Sequence, residues 1–89
     1  MSLQDTDAVV QILAIREKTH GPFSNTADVS QKLKSIVRKA PGYEDMSRLH
    51  QEAIEMVQTK VARIVNGNSR ERDHWNDIIG YVMLAMRDL

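Results

Sequence analysis

Apolar residues recur at helical spacing in four successive segments of this chain, and no stretch alternates at the strand period of two. That pattern commits each segment to an amphipathic helix whose apolar stripe must find cover. The breakers fall between the segments. Both prolines, Pro22 and Pro41, and three of the four glycines stand there. The β-branched residues lie inside helical patterns, where they weaken any strand reading. The fold expected is all-α, a small bundle of about four helices forming one domain over residues 1–89.

Helix 1 is expected over about 4–18, with Val9, Ile12, Leu13 and Arg16 at i, i+3, i+4, i+7. Asp5 and Asp7 suit its positive end and Lys18 its negative end. His20-Gly21-Pro22 stops it, with Gly21 as the left-handed residue and Pro22 just beyond. Helix 2 is expected over about 25–40, capped by Ser24 or Asn25, with Asp28 in its first turn. Its stripe is Val29, Leu33, Ile36, Val37 and Ala40, and Pro41-Gly42 stops it. Helix 3 is expected over about 47–66, from an N-cap at Ser47 to a stop at Gly67. Leu49, Ala53, Ile54, Val57, Val61, Ile64 and Val65 make its core band. Helix 4 runs from about 71 to the end. Trp75, Ile78, Ile79, Val82, Ala85, Met86 and Leu89 form its apolar face. Gly80 interrupts it at a cost of roughly 1 kcal/mol against Ala, which favours a position where another helix or a ligand comes close. About four residues join helices 3 and 4, so the two should form a central antiparallel hairpin.

Composition narrows the function classes. Twelve Lys+Arg balance twelve Asp+Glu, which argues against a polybasic nucleic-acid binder. The chain has no Cys, so disulfides, thiol catalysis and Cys-based zinc sites are excluded. No apolar run approaches the roughly 18 residues that span a bilayer, and the N-terminus has no signal-like apolar segment. A cytoplasmic protein without membrane association is expected. With 89 residues the core is small, and one hairpin with two shorter helices leaves apolar stripe uncovered. A homo-oligomer is expected.

The charges are not evenly spread. Glu52, Glu55, Met56, Lys60 and Arg63 share one stripe of helix 3. Asp73, Asp77, Gly80, Tyr81 and Leu84 form a matching stripe on helix 4. Antiparallel pairing about Ser69 brings Arg63 near Asp77 and Lys60 near Gly80. Charges meeting between apolar faces are costly unless they are paired or used on a ligand. Two readings follow. One is an ion network that sets helix register. The other is a nucleotide phosphate site, with carboxylates on Mg²⁺ and cations on the phosphates. Arg16 lies on the helix 1 stripe and needs an anionic partner, with Asp77 the best choice within the protein.

Helix 4 reads Asp73-His74-Trp75-Asn76-Asp77-Ile78-Ile79-Gly80-Tyr81, after Lys60-Val61-Ala62-Arg63-Ile64 and a Gly-containing turn; upstream stand Arg16 and His20-Gly21-Pro22-Phe23-Ser24-Asn25. This order resembles a group of short phage and prophage proteins that share these elements over roughly residues 12–86. A more distant similarity is to the MazG-like all-α nucleotide pyrophosphatases. Those enzymes hold Mg²⁺ with E-E-x-x-E on one helix and E-x-x-D on the next. Glu52-x-x-Glu55 stands for the first motif, with Gln51 in place of its leading Glu. His74-x-x-Asp77 stands for the second, with His74 in place of Glu.

The resemblance implies an oligomeric nucleotide-binding protein and a Mg²⁺-dependent pyrophosphohydrolase. Glu52, Glu55 and Asp77, with Asp73, would hold the metal. Lys60, Arg63 and Arg16 would bind phosphates, and a metal-bound water would attack the α-phosphorus. Asn25 is a candidate contact to base or ribose, His20 to a phosphate, and Tyr81 to a base or a phosphate. The alternative keeps the site without chemistry, as a nucleotide-sequestering counter-defence factor, or drops it for a module that binds a host protein. Lys32, Lys34, Arg38 and Lys39 are expected on a solvated face of helix 2, His50 at the surface, and Trp75 in helix packing.

Overall fold

The computed structural model of the chain describes residues 3–89, with side chains from residue 6 onward. The chain runs through α1 (Leu3–His20), α2 (Phe23–Arg38), α3 (Arg48–Asn66) and α4 (Arg72–Arg87). The described residues contain no strand, and none of these helices is long and apolar enough to cross a membrane. The side chain of Asp5 falls outside the described set. α3 is the central element and packs on the other three, most extensively on α4. The all-α bundle and its α3–α4 hairpin are therefore present as the periodicity requires.

Local chemistry explains most boundaries. Ser47 Oγ accepts the His50 N–H at 3.1 Å and starts α3. Gly67 closes it, its N–H donating to Arg63 O at 2.9 Å. α2 begins earlier than expected and without a side-chain cap. The Pro22 carbonyl itself accepts from the N–H groups of Asn25 and Thr26, both at 3.1 Å, so Ser24 and Asn25 lie inside the first turn. α2 also ends at Arg38 rather than at Ala40. Ala40 precedes Pro41, and a residue in that position is pushed out of the helical region.

The end of α1 and the end of α3 cross at backbone contact. Gly21 has φ +77°, a conformation in which a side chain is strained. A Cβ on Gly21 would run into the backbone of Asn66, and one on Gly67 into the backbone of Thr19 and His20. The Thr19 carbonyl, one of the α1 groups left without a helical partner, accepts from Asn68 N–H at 2.9 Å and from His74 Nε2–H at 3.0 Å. The Thr26 hydroxyl donates to His20 O at 2.7 Å.

Two expectations about apolar faces are corrected. Val9, Ile12 and Leu13 of α1 do not enter a core; they are 47%, 48% and 57% exposed. The described residues of α1 up to Lys18 are exposed, and only Thr19 and His20 are partly covered, because the helix docks through its last turn. On α4 the side turned inward carries buried His74 and half-buried Ile78, Tyr81 and Ala85. Trp75, Ile79, Val82, Met86 and Leu89 point outward. Polar bonds decide this rotation. His74 is tied to Thr19 O, and His50 Nε2–H donates to Ala85 O at 2.8 Å. His50 is thus a cross-helix bond rather than a surface residue. Trp75 donates its indole N–H to Ser69 O at 2.9 Å and braces the α3–α4 turn. Gly80 has open space where its Cβ would be, so no helix of its own chain approaches it.

The consequence is a small core. Ala53, Ala62 and Ile64 are the buried apolar residues among those described, beside the buried polar Thr26, Ser30, Gln58, Lys60 and His74. The Gly21–Gly67 crossing therefore carries much of the α1 attachment. Gly67→Ala should lower stability by about 1–3 kcal/mol through overpacking of backbone on backbone. Gly42→Ala, where a Cβ meets nothing, should stay within about 0.5 kcal/mol of wild type. Urea denaturation followed by circular dichroism compares them, and equal midpoints would rule out a tight crossing.

Candidate anion-binding site

The α1–α3–α4 junction gathers basic side chains. His20 closes α1, Lys60 and Arg63 lie on α3 one turn apart, and His74 lies in the first turn of α4. The His20 and His74 rings stand 4.9 Å apart between centroids, tilted by 52°. His74 is 3% exposed and its Nε2 must carry a proton, since its partner is a carbonyl. Burial holds the His20 pKa below the ordinary 6.5, and Arg63, His74, Lys60 and Arg16 push it the same way. Four basic groups from three elements therefore act on a single imidazole.

One carboxylate answers them. Lys60 Nζ lies 2.9 Å from Asp77 Oδ2, with the Lys60 side chain 10% exposed and that of Asp77 48%. The hydrogen bond from Lys60 holds Asp77 below its usual pKa, and the charges of Lys60, His74 and Arg63 add to it. The expected facing of these stripes is present, with a shifted register. Lys60 rather than Arg63 takes Asp77. Arg16 does not pair with Asp77 as expected; it is exposed, and among the described residues neither Arg16 nor Arg63 has an ion-pair partner.

Tyr81 is half-buried and lines an open groove of about 460 Å³ along α4 with Asn76, Asp77, Gly80, Leu84 and Arg87. Asp77 belongs to both the groove and the Lys60 pair, so groove and basic cluster adjoin. Asn25 is exposed in the first turn of α2, next to the Thr26 that binds His20 O.

The expected Mg²⁺ ligands do not gather. Glu55 faces α2 and the loop before α3, where it accepts hydrogen bonds from Arg38 and from the Tyr43 hydroxyl. Its pKa is lowered first by Arg38 and then by Tyr43. Arg38 is thereby part of an ion pair, not of a freely solvated face. Glu52 and Asp73 are exposed, and Asp77 is engaged by Lys60. Among the described residues no three His, Asp or Glu side chains come close enough to hold a metal ion.

Sequence spacing placed Lys60, Arg63, Asp77, Arg16 and His20 as candidates, and it missed the roles of His74 and His50. Both bind backbone carbonyls, which carry no residue signature. The only signal was a His at an inward helical position.

A family model for a domain of unknown function, DUF6378, matches residues 3–88. The chain belongs to that family. No curated protein and no solved structure matches it. The DUF6378 description names no activity, so function rests on the side chains of the junction.

The lowered His20 pKa has a definite sign in stability. The unfolded chain takes up the proton first, so the contribution of neutral His20 is complete above the unfolded value near 6.5. It is lost as pH falls below that value toward the native one. Asp77 and Glu55, with lowered pKa values, lose their contributions only at more acid pH. Urea midpoints should therefore fall between about pH 7 and 5 in the wild type and fall less in His20→Gln. Parallel curves for the two proteins would refute a lowered His20 pKa.

Proposed function

We propose that this DUF6378 chain binds a nucleotide, with its phosphates at Arg16, His20, Lys60 and Arg63 and its base in the α4 groove beside Tyr81. The observation that carries the reading is the charge imbalance at the junction. Three permanent cations, Arg16, Lys60 and Arg63, act electrostatically on His20, one carboxylate, Asp77, pairs with Lys60, and Arg16 and Arg63 have no ion-pair partner among the described residues. A phosphate supplies the missing negative charge and several acceptors for guanidinium and imidazole N–H groups. A bound phosphate would also reverse the unfavourable protonation of His20.

Two further features support a nucleotide over a bare phosphate. The groove adjoins the cluster through Asp77 and offers the Tyr81 ring for stacking. Balanced net charge disfavours a polyanion and leaves room for one small anion. Of the two forms of the resemblance to MazG-like proteins, binding without turnover fits better. Glu55 is occupied by Arg38 and Tyr43, and the carboxylates do not converge. This reading puts the protein in the cytoplasm, where nucleotides are.

Isothermal titration with nucleoside mono-, di- and triphosphates, with Mg²⁺ and with chelator, tests the reading. Binding should persist in chelator and raise the melting temperature by mass action. Arg16→Ala and Arg63→Ala should each weaken it about tenfold, roughly 1.4 kcal/mol, with little effect on the empty protein's stability. The absence of binding by every nucleotide to folded protein would end the proposal. Release of pyrophosphate only with Mg²⁺ would replace it with the hydrolase form.

A further inference from the structure

The described fold leaves more surface open than a compact chain of this size exposes, and part of that surface is large apolar side chains. A compact monomer of 10.1 kDa exposes roughly 5,300 Å², whereas this chain exposes 6795 Å², an excess of about 1,500 Å². Its radius of gyration is 15.5 Å, against about 12 Å expected for 89 residues. A stable dimer buries about 800 Å² from each partner, and obligate dimers bury more. The excess is of obligate size.

The open surface has two parts. On α1, Val9, Val10, Ile12, Leu13 and Ile15 are 47–63% exposed. They spread around much of the helix, a distribution found in helices that are covered on several sides. On the bundle, an apolar groove of about 290 Å³ runs between α3 and α4, lined by Met46, Ile54, Val57, Val82, Met86 and Leu89. The α1 of the same chain is held away from it. The Gly21–Gly67 crossing and the bonds to Thr19 O attach α1 by its last turn to the far end of α3. Met46 and Leu89 mark the groove near the opposite end of that hairpin.

We infer that a second copy of this chain fills the groove, with α1 of each protomer lying on the α3–α4 groove of the other in a two-fold exchange. Two-fold symmetry lets each chain cover the other's helix and groove in one interface. A different protein is a poorer occupant. With Ala53, Ala62 and Ile64 as the buried apolar set, the single chain has too little core to wait in folded form for a foreign partner. A second copy is present wherever the chain is made. The zero net charge removes long-range repulsion between copies. This interface does not depend on nucleotide binding at the junction.

Sedimentation equilibrium of the wild-type chain should give twice 10.1 kDa, with a melting temperature that rises with protein concentration. Leu13→Glu on α1 and Val82→Glu in the groove alter side chains that are 57% and 45% exposed in the single chain. Each alone should lower the dimer fraction at least tenfold and the melting temperature by about 10 °C. A variant that fails to fold at all agrees with association-dependent folding, provided the wild type is a dimer. A wild-type mass of one chain at every concentration would overturn the inference. So would a dimer that only one of the two substitutions weakens, since the exchange needs both surfaces. Monomeric wild type that sediments with anionic vesicles would also overturn it and assign the face to a membrane surface.

Discussion

The carbonyl of Thr19 is the point on which this small bundle turns. It ends α1, so the helix cannot satisfy it, and it accepts both the N–H of Asn68 and the Nε2–H of His74. Both donors lie beyond the end of α3, one in the turn and one at the start of α4. The bonds can form only because Gly21 and Gly67 let the two backbones touch. With that contact in place, α1 is directed away from the hairpin, the start of α4 is rotated, and His20 is set beside His74.

Polar bonds then do what a larger core would do elsewhere. His74 at one end of α4 and His50, bonded to Ala85 O, near the other fix how that helix faces α3. Lys60 with Asp77 holds the middle. This rotation turns an ionic stripe partly inward and leaves part of the apolar stripe outside. Each backbone bond contributes roughly 1 kcal/mol net, yet leaving the buried His74 unpaired would cost more than that. The same rotation collects Lys60, Arg63 and His74 around His20, so the junction's charge and the uncovered apolar surface share one cause. A chain with Ala53, Ala62 and Ile64 as its buried apolar residues depends on such bonds for orientation more than for net stability.

The four helices were legible because periodicity, Ser47, Gly21 and Gly67 are local signals. The facing of Lys60 and Asp77 was nearly legible, since a short turn makes α3 and α4 antiparallel neighbours. Turn length fixes register only to within a helical turn, which is the error that placed Arg63 on Asp77. Glu55 was misplaced for a different reason. Its partners Arg38 and Tyr43 come from another helix and a loop, and no spacing within α3 announces them. Arg16 was read as facing inward from its position on an apolar stripe, but that stripe itself stays outside.

By itself the sequence determined that this chain is helical and where its helices break, to within about a turn. These follow from backbone propensity and side-chain spacing, which act over a few residues. Tertiary structure alone decided which faces are covered, because that depends on the angle at which α1 leaves the Gly21–Gly67 crossing and on carbonyls that any residue could have supplied. It also decided that Glu55 and Asp77 part, since Glu55 takes Arg38 and Tyr43 on one side of α3 while Lys60 takes Asp77 on another.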